Sequence, residues 1–203
     1  MEIYLIRHTT PAIQKGICYG QTDLDVTASF PEEAAIIQKH LPGSIHHVYS
    51  SPLQRCSKLA GHLFPQHTIS FHDDLKELHC GSWEMQHWDT IPKNEIDPWM
   101  NDFVNVSTPG GESYVDLYER VSRCFLQISK QNRPSAIVTH GGVIRSILAR
   151  ITHTELKDSF GAFKIHYGCV INLRYQDEQW HYDILCNIES PKEQHKPSGF
   201  KKH

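Results

Sequence analysis

The 203-residue sequence has no C-x-x-C pair among its six cysteines, no internal repeat, and no excess of positive charge. It also lacks any apolar run near the roughly 20 residues a membrane helix needs. Each absence excludes something. Cys18, Cys56, Cys80, Cys124, Cys169 and Cys186 are scattered, which fits neither a zinc knuckle nor a thioredoxin motif and leaves buried free thiols as the expected state. The N-terminus meets Glu2 and Arg7 too soon to be a signal h-region, so the chain reads as cytoplasmic, with no membrane partner. With 20 Lys+Arg against 23 Asp+Glu and a net charge of −3, a nucleic-acid partner is not expected, because backbone affinity needs clustered cations. What is present is a hydrophobic fraction of 39% with 10% aromatics, enough for a real core, which excludes disorder and a disulfide miniprotein. The chain also carries 15 His, whose meaning depends on spacing rather than number.

Patterning along the chain predicts alternating strands and helices. Ile3 to Ile6 reads as a buried strand, residues 31–41 as a helix opened by Pro31-Glu32-Glu33, and Val48 to Ser50 as a second strand. Ser51 is placed to cap a helix starting at Pro52, followed by a short strand at 68–71 and an irregular stretch from Asp73 to Pro109. Further on, 113–130 reads as helix, 136–139 as strand and 143–151 as helix, with closing strands at 169–175 and 179–186 turning at Asp177-Glu178. This alternation implies an α/β fold, a three-layer α/β/α sandwich on a mostly parallel sheet. Residues 1–188 form one domain in this reading, and 189–203 a flexible tail. Nothing in the sequence specifies an oligomeric state.

In open α/β sheets ligands bind beyond the carboxyl ends of the strands. That rule selects Arg7-His8-Thr9, Ser50-Ser51 with Arg55, and Thr139-His140-Gly141-Gly142. Two His and two Arg converge on one rim. Guanidinium forks match phosphate oxygens, helix N-termini add N–H donors, and a neutral imidazole can attack phosphorus. Such a site needs no metal and no cofactor, since fixed cations can offset the developing charge. The remaining histidines, including His46-His47 and His62, His67 and His72, lack ligand spacing, so no metal site is expected.

Arg7-His8-Thr9 resembles the R-H-G opening of the histidine phosphatase superfamily, also called phosphoglycerate mutase-like, and Ser50 to Cys56 resembles its S-S-P-L-x-R-A segment. Further matches keep their order: Gly20 to Leu24 with Thr27, Glu77 to Glu84, Pro109 to Ser113, and Val138 to Arg145. The resemblance implies that His8 becomes phosphohistidine while Arg7, Arg55 and His140 clamp the phosphoryl oxygens. Glu77 then serves as general acid, with Glu84 its rival; a carboxyl beside a phosphate dianion favours its protonated form. A small cap inserted at about 82–109 is also implied.

The sequence departs from the family pattern in three places. Thr9 replaces the Gly beside the nucleophile, Phe30 replaces a usual Gly, and Gln14 stands where many members carry a phosphate-contacting Asn. Thr9, Gln14, Gly20, Gly141 and Trp83 are the expected substrate contacts. Only about 30 residues separate Gly81 from Gly110, and mutases usually carry a longer insertion, so hydrolysis of a small phosphate monoester is expected over mutase transfer. Gly81 to Trp88, Trp99 to Phe103 and the entry through Ile17 to Gln21 are similar to α-ribazole phosphatases. That likeness implies α-ribazole 5′-phosphate as substrate, its flat base stacking on Trp83, Trp88 or Trp99. The alternatives are a broader sugar-phosphate phosphatase or phosphoglycerate mutase, and a non-catalytic phospho-ligand module.

Overall fold

The computed structural model describes residues 1–189, 194 and 196–198. Its first strand, Glu2–Arg7 (β1), alternates between two apolar clusters: Ile3 and Leu5 face one, Tyr4 and Ile6 the other. A strand buried on both faces needs a layer of helices on each. The chain supplies α1 (Phe30–Gln38), β2 (His47–Ser50), α2 (Gln54–Leu63), β3 (Ile69–Phe71), α3 (Lys93–Asn101) and α4 (Tyr114–Ser129). It continues with β4 (Ser135–Thr139), α5 (Gly141–Thr152), α6 (Ser159–Ala162), β5 (Val170–Gln176) and β6 (Gln179–Cys186).

The six strands form one sheet in the order β3-β2-β4-β1-β5-β6. Pairings from β3 through β1 are parallel and the two involving β5 antiparallel, as the mostly parallel expectation requires. On one face, α1 and α2 pack Ile37, Leu59 and Leu63 against Ile6, Val48 and Val138. On the other, α4 and α5 pack Leu117, Phe125 and Ile144 against Leu5, Ile137 and Ile171. Each such side chain contributes about 1.5–3 kcal/mol by burial, so the two layers hold the sheet. In β6 the register skips Leu185, because Val170 pairs with Cys186 while Ile171 pairs with Ile184. The skip turns Cys186 toward the α1–α2 face, whereas Trp180 and Tyr182 lean on the other.

Several boundaries differ from the sequence pattern. α1 ends at Gln38 rather than 41 because Lys39, His40 and Leu41 donate to carbonyls three residues back, a tightened final turn. α2 starts at Gln54 rather than Pro52, since Ser51 Oγ accepts the Leu53 N–H and Leu53 stays extended. α4 starts at Tyr114 rather than 113 because Ser113 caps it, with Asp116 completing the reciprocal bond.

The stretch read as irregular holds α3 and three single 3-10 turns, Asp73–Leu75, Gly81–Trp83 and Trp88–Thr90. α3 escapes the pattern because Pro98 interrupts it and only Ile96 and Met100 are buried. These residues join Cys18, Cys80, Trp83, Trp88 and Ile91 in a cluster apart from both faces of the sheet. The flexibility expected for 189–203 falls largely outside the described residues. Among the described residues no helix is long and apolar enough to cross a membrane.

The inserted stretch begins and ends at one backbone crossing. Ser82 N–H donates to the Pro109 carbonyl at 2.8 Å and Glu112 N–H to the His79 carbonyl at 2.8 Å. Gly81 sits at φ +56°, and a methyl group there would run into the Pro109 carbonyl and the Gly111 nitrogen. Gly81→Ala is therefore expected to cost at least about 1–3 kcal/mol, read as a lowered urea midpoint. An unchanged midpoint would contradict this close packing.

Candidate active site

Parallel register assembles the site. Arg7 lies opposite Thr139 and Ser50 opposite Val138, and the ladder runs one residue further: His8 N–H donates to Thr139 O at 3.0 Å and Ser51 N–H to Val138 O at 3.0 Å. His8, Ser51 and His140 thereby meet just past three carboxyl ends. The His8 and His140 rings are 5.1 Å apart, and Ser51 Oγ shares a 2.8 Å hydrogen bond with His140 Nε2. Arg55 enters from the first turn of α2.

His8 is 1% exposed, and its Nδ1 lies 2.7 Å from the Thr9 carbonyl. A carbonyl only accepts, so Nδ1 carries the hydrogen and Nε2 presents its lone pair. Burial, then the Arg55 and Arg7 cations, hold the His8 pKa well below the ordinary imidazole value. His140 is depressed likewise by burial, Arg55, His8 and Arg7. Both rings are thus neutral near pH 7 in the unliganded site.

The cations are buried too, Arg7 at 2% exposure and Arg55 at 0%. Arg7 Nη1 donates to the Ile165 carbonyl at 2.7 Å, and its guanidinium lies 4.1 Å from the Tyr167 ring centroid. Arg55 donates to the carbonyls of Thr22 and Gly20, each at 2.8 Å. No carboxylate pairs with Arg55 among the described residues, and its Nε is buried without a partner. A guanidinium in that state is a ready anion site.

Glu77 reaches the start of α5, accepting from Gly142 N–H at 3.1 Å and Leu78 N–H at 3.0 Å. A side chain at 142 would collide with this carboxylate, and a Cβ at 141 would lie 3.4 Å from the Arg7 guanidinium carbon. The bare position at 142 therefore lets the Glu77 carboxylate approach the helix end. Glu84, the rival, is occupied elsewhere: it accepts from Gln21 N–H, Cys80 N–H and the Thr22 hydroxyl, pinning the loop whose carbonyls hold Arg55.

The cavity beside these groups is lined by Arg7, Glu77, the two glycines, Trp88, Trp99 and Phe160 among others, whereas His8, Arg55 and His140 are not among its lining residues. Gly20 and Gly141 line it as well. Three expected contacts lie elsewhere. Trp83 is 0% exposed inside the inserted stretch, where its ring packs edge-on to Trp88 and Trp99 and its Nε1–H donates to Glu95 at 2.9 Å. Gln14 is exposed and Thr9 is wholly buried, and neither lines the cavity. Thr9 contributes its carbonyl to His8 instead of its side chain.

The sequence reading missed Tyr19 and Tyr167, whose hydroxyls are 3.0 Å apart beside Arg55 and Arg7. It missed Arg120 as well. That side chain donates to the carbonyls of Asp74, Lys76 and Glu77 and pairs with Glu112 at 2.7 Å, clamping the segment that carries Glu77. Glu112 precedes the cap of α4 and lies eight residues from Arg120, so no helical i,i+4 spacing signalled that pair in the sequence.

A buried imidazole with a bare Nε2 among fixed cations, and a carboxylate at the neighbouring helix end, suit phosphoryl transfer. The chain belongs to the histidine phosphatase superfamily (branch 1), whose profile matches residues 3–188. It is 30% identical over 200 residues to a metal-independent phosphoserine phosphatase of Arabidopsis thaliana, covering 92% of this chain and 82% of the relative. It is 29% identical over 186 residues to a phosphoglycerate mutase-like protein of the same plant, covering 82% and 80%. Its fold superposes on the α-ribazole phosphatase of Shigella flexneri with a TM-score of 0.81 at 22% identity, covering 94% of this chain and all of the other. The protein is thus an enzyme of phosphate-ester chemistry, of the phosphatase and mutase kind.

The two neutral histidines couple stability to pH. Their folded pKa values lie below 6.5, the ordinary value that the unfolded rings regain, so below that pH the unfolded chain binds more protons. Their contribution is fully present above about pH 6.5 and is lost as pH falls toward the folded values. The urea midpoint should drop between about pH 7.5 and 5.5, and less steeply in His8→Gln. A midpoint that rises on acidification would contradict the neutral assignment.

Proposed function

We propose that the protein hydrolyses a phosphate monoester through a phosphohistidine on His8, and that its substrate is α-ribazole 5′-phosphate. The observation that carries the reaction is the His8 tautomer, with Nδ1–H committed to Thr9 O and Nε2 left to attack. As the Nε2–P bond forms and the P–O bond breaks, Arg7, Arg55 and His140 hold the equatorial oxygens. Glu77 gives a proton to the departing alcohol, then takes one from the water that cleaves the phosphoenzyme. Supporting Glu77 over Glu84 is the latter's commitment to the 20–22 loop.

Aromatic walls support the substrate. Trp88 and Trp99 stack at 5.9 Å with a 26° interplanar angle and line the cavity with Tyr114 and Phe160. A flat apolar base suits such a surface better than does the charged body of a small metabolite. One feature favours a second reading, a broader phosphatase or mutase of sugar and carboxylate phosphates: Arg145 also lines the cavity. The likeness to the phosphoserine phosphatase points the same way.

His8→Ala should abolish turnover and the acid-labile phosphoenzyme trapped on rapid quench, and full activity without His8 would sink the mechanism. Glu77→Gln should slow alkyl phosphates about 10²-fold while sparing p-nitrophenyl phosphate, whose leaving group needs little protonation. Equal losses would move the acid elsewhere.

For the substrate, kcat/KM on α-ribazole 5′-phosphate should exceed that on phosphoserine, 3-phosphoglycerate and a sugar phosphate by about tenfold or more. The reverse order would establish the second reading.

A further inference from the structure

Both guanidiniums of the site rest on a tyrosine, and the two tyrosines touch. The Arg7 guanidinium carbon lies 4.1 Å from the Tyr167 ring centroid, and that of Arg55 lies 5.3 Å from the Tyr19 centroid. The tyrosine hydroxyls meet in a 3.0 Å hydrogen bond between positions 148 residues apart. Both side chains are half-buried. Removing either hydroxyl would take the bond away and leave each ring on its cation.

Each tyrosine stands in the segment that also holds its arginine through the backbone. Tyr19 precedes Gly20 and Thr22, whose carbonyls each accept from Arg55 at 2.8 Å. Tyr167 lies between Ile165, whose carbonyl accepts from Arg7 Nη1 at 2.7 Å, and Gly168, whose N–H donates to the His8 carbonyl at 3.1 Å. Cys169 O accepts the Arg7 N–H at 2.9 Å, so the 165–169 segment is tied to β1 and to His8. The 19–22 segment is tied instead to the inserted stretch, because Glu84 accepts from Gln21 N–H and the Thr22 hydroxyl. The hydroxyl bond therefore joins the part of the site built on the sheet to the part built on the inserted stretch.

We propose that the Tyr19–Tyr167 hydroxyl bond is a positioning brace that fixes the spacing of the Arg7 and Arg55 guanidiniums and, with it, their fit to a phosphoryl group. The inference rests on the reading of those two arginines as the phosphoryl clamp. Both cations bear on the His8 ring closely enough to depress its pKa. Two like charges held in a buried site repel more strongly than in water, which pushes their carrier segments apart. A bond that joins the carriers opposes that push. Phosphoryl oxygens lie at fixed separations, so forks that drift lose the match, and misplacement by about 1 Å costs up to 10²-fold in rate. The forks meet the oxyanion whatever alcohol it carries, so the brace acts on every phosphoryl-like anion alike. Glu77 differs, since its loss is felt chiefly with poor leaving groups.

The test is a double-mutant cycle on the full chain with Tyr19→Phe, Tyr167→Phe and the double variant. Each single variant should lower kcat/KM about tenfold, by the same factor on p-nitrophenyl phosphate and on an alkyl phosphate. Each should raise the dissociation constant of orthovanadate by a similar factor, read from the shift that vanadate gives the melting temperature. The double variant should lose no more than the worse single one, because the two share one bond. Independent packing roles would multiply, so multiplied losses overturn the brace. Unchanged kcat/KM and vanadate binding in the single variants overturn it too, as does a loss confined to the alkyl ester, which would place the tyrosines with the acid. Where one variant fails to fold, vanadate binding by the other decides. Because vanadate binding is read without turnover, failure of the brace is distinct from failure of the phosphatase reading.

Discussion

A guanidinium buried without a carboxylate is the constraint around which this structure is arranged. Arg55 is 0% exposed, and backbone carbonyls of the 20–22 loop hold it in place beside the Tyr19 ring. Such a charge is costly while its field goes unanswered, and an arriving dianion supplies the answer. The same field, with burial, keeps His8 and His140 neutral, so a cation that costs stability also leaves the bare His8 Nε2 unprotonated. The loop cannot hold Arg55 alone. Glu84 pins it from the start of the inserted stretch, which is locked at Gly81 by a backbone crossing.

Glu77 has a comparable support. It meets the N-terminus of α5 only because position 142 carries no side chain, and its backbone is gripped by Arg120 from α4. Helix N-termini attract anions, so in the free enzyme Glu77 occupies part of the field that a phosphate later shares. The cavity therefore joins two regions of different origin. Arg7 and the start of α5 line one part, and Trp88 and Trp99, from a cluster separate from both sheet faces, line another together with Tyr114 and Phe160.

The fold was legible wherever burial is periodic. β1 and β4 read as unbroken apolar runs because both faces are covered, and α4 read as a helix to within one residue of each end. α3 was not legible: Pro98 masks its helical period, and its few buried residues pack against partners distant in sequence. Gln14 and Trp83 show the limit of motif transfer. A motif conveys order along the chain, whereas exposure of Gln14 and burial of Trp83 against Glu95 depend on how loops pack.

By itself the sequence determined the sheet core, the order of its elements, and the meeting of Arg7, His8, Arg55 and His140. Parallel strands of alternating α/β chains must present their carboxyl ends on one edge. Tertiary structure alone decided which nitrogen of His8 is bare, which glutamate sits on α5 and which tryptophans face the cavity. Those outcomes depend on contacts between residues tens of positions apart, such as Glu77 with Gly142 and Glu84 with Gln21. Local patterning carries no record of them, because each partner alone is compatible with many surroundings.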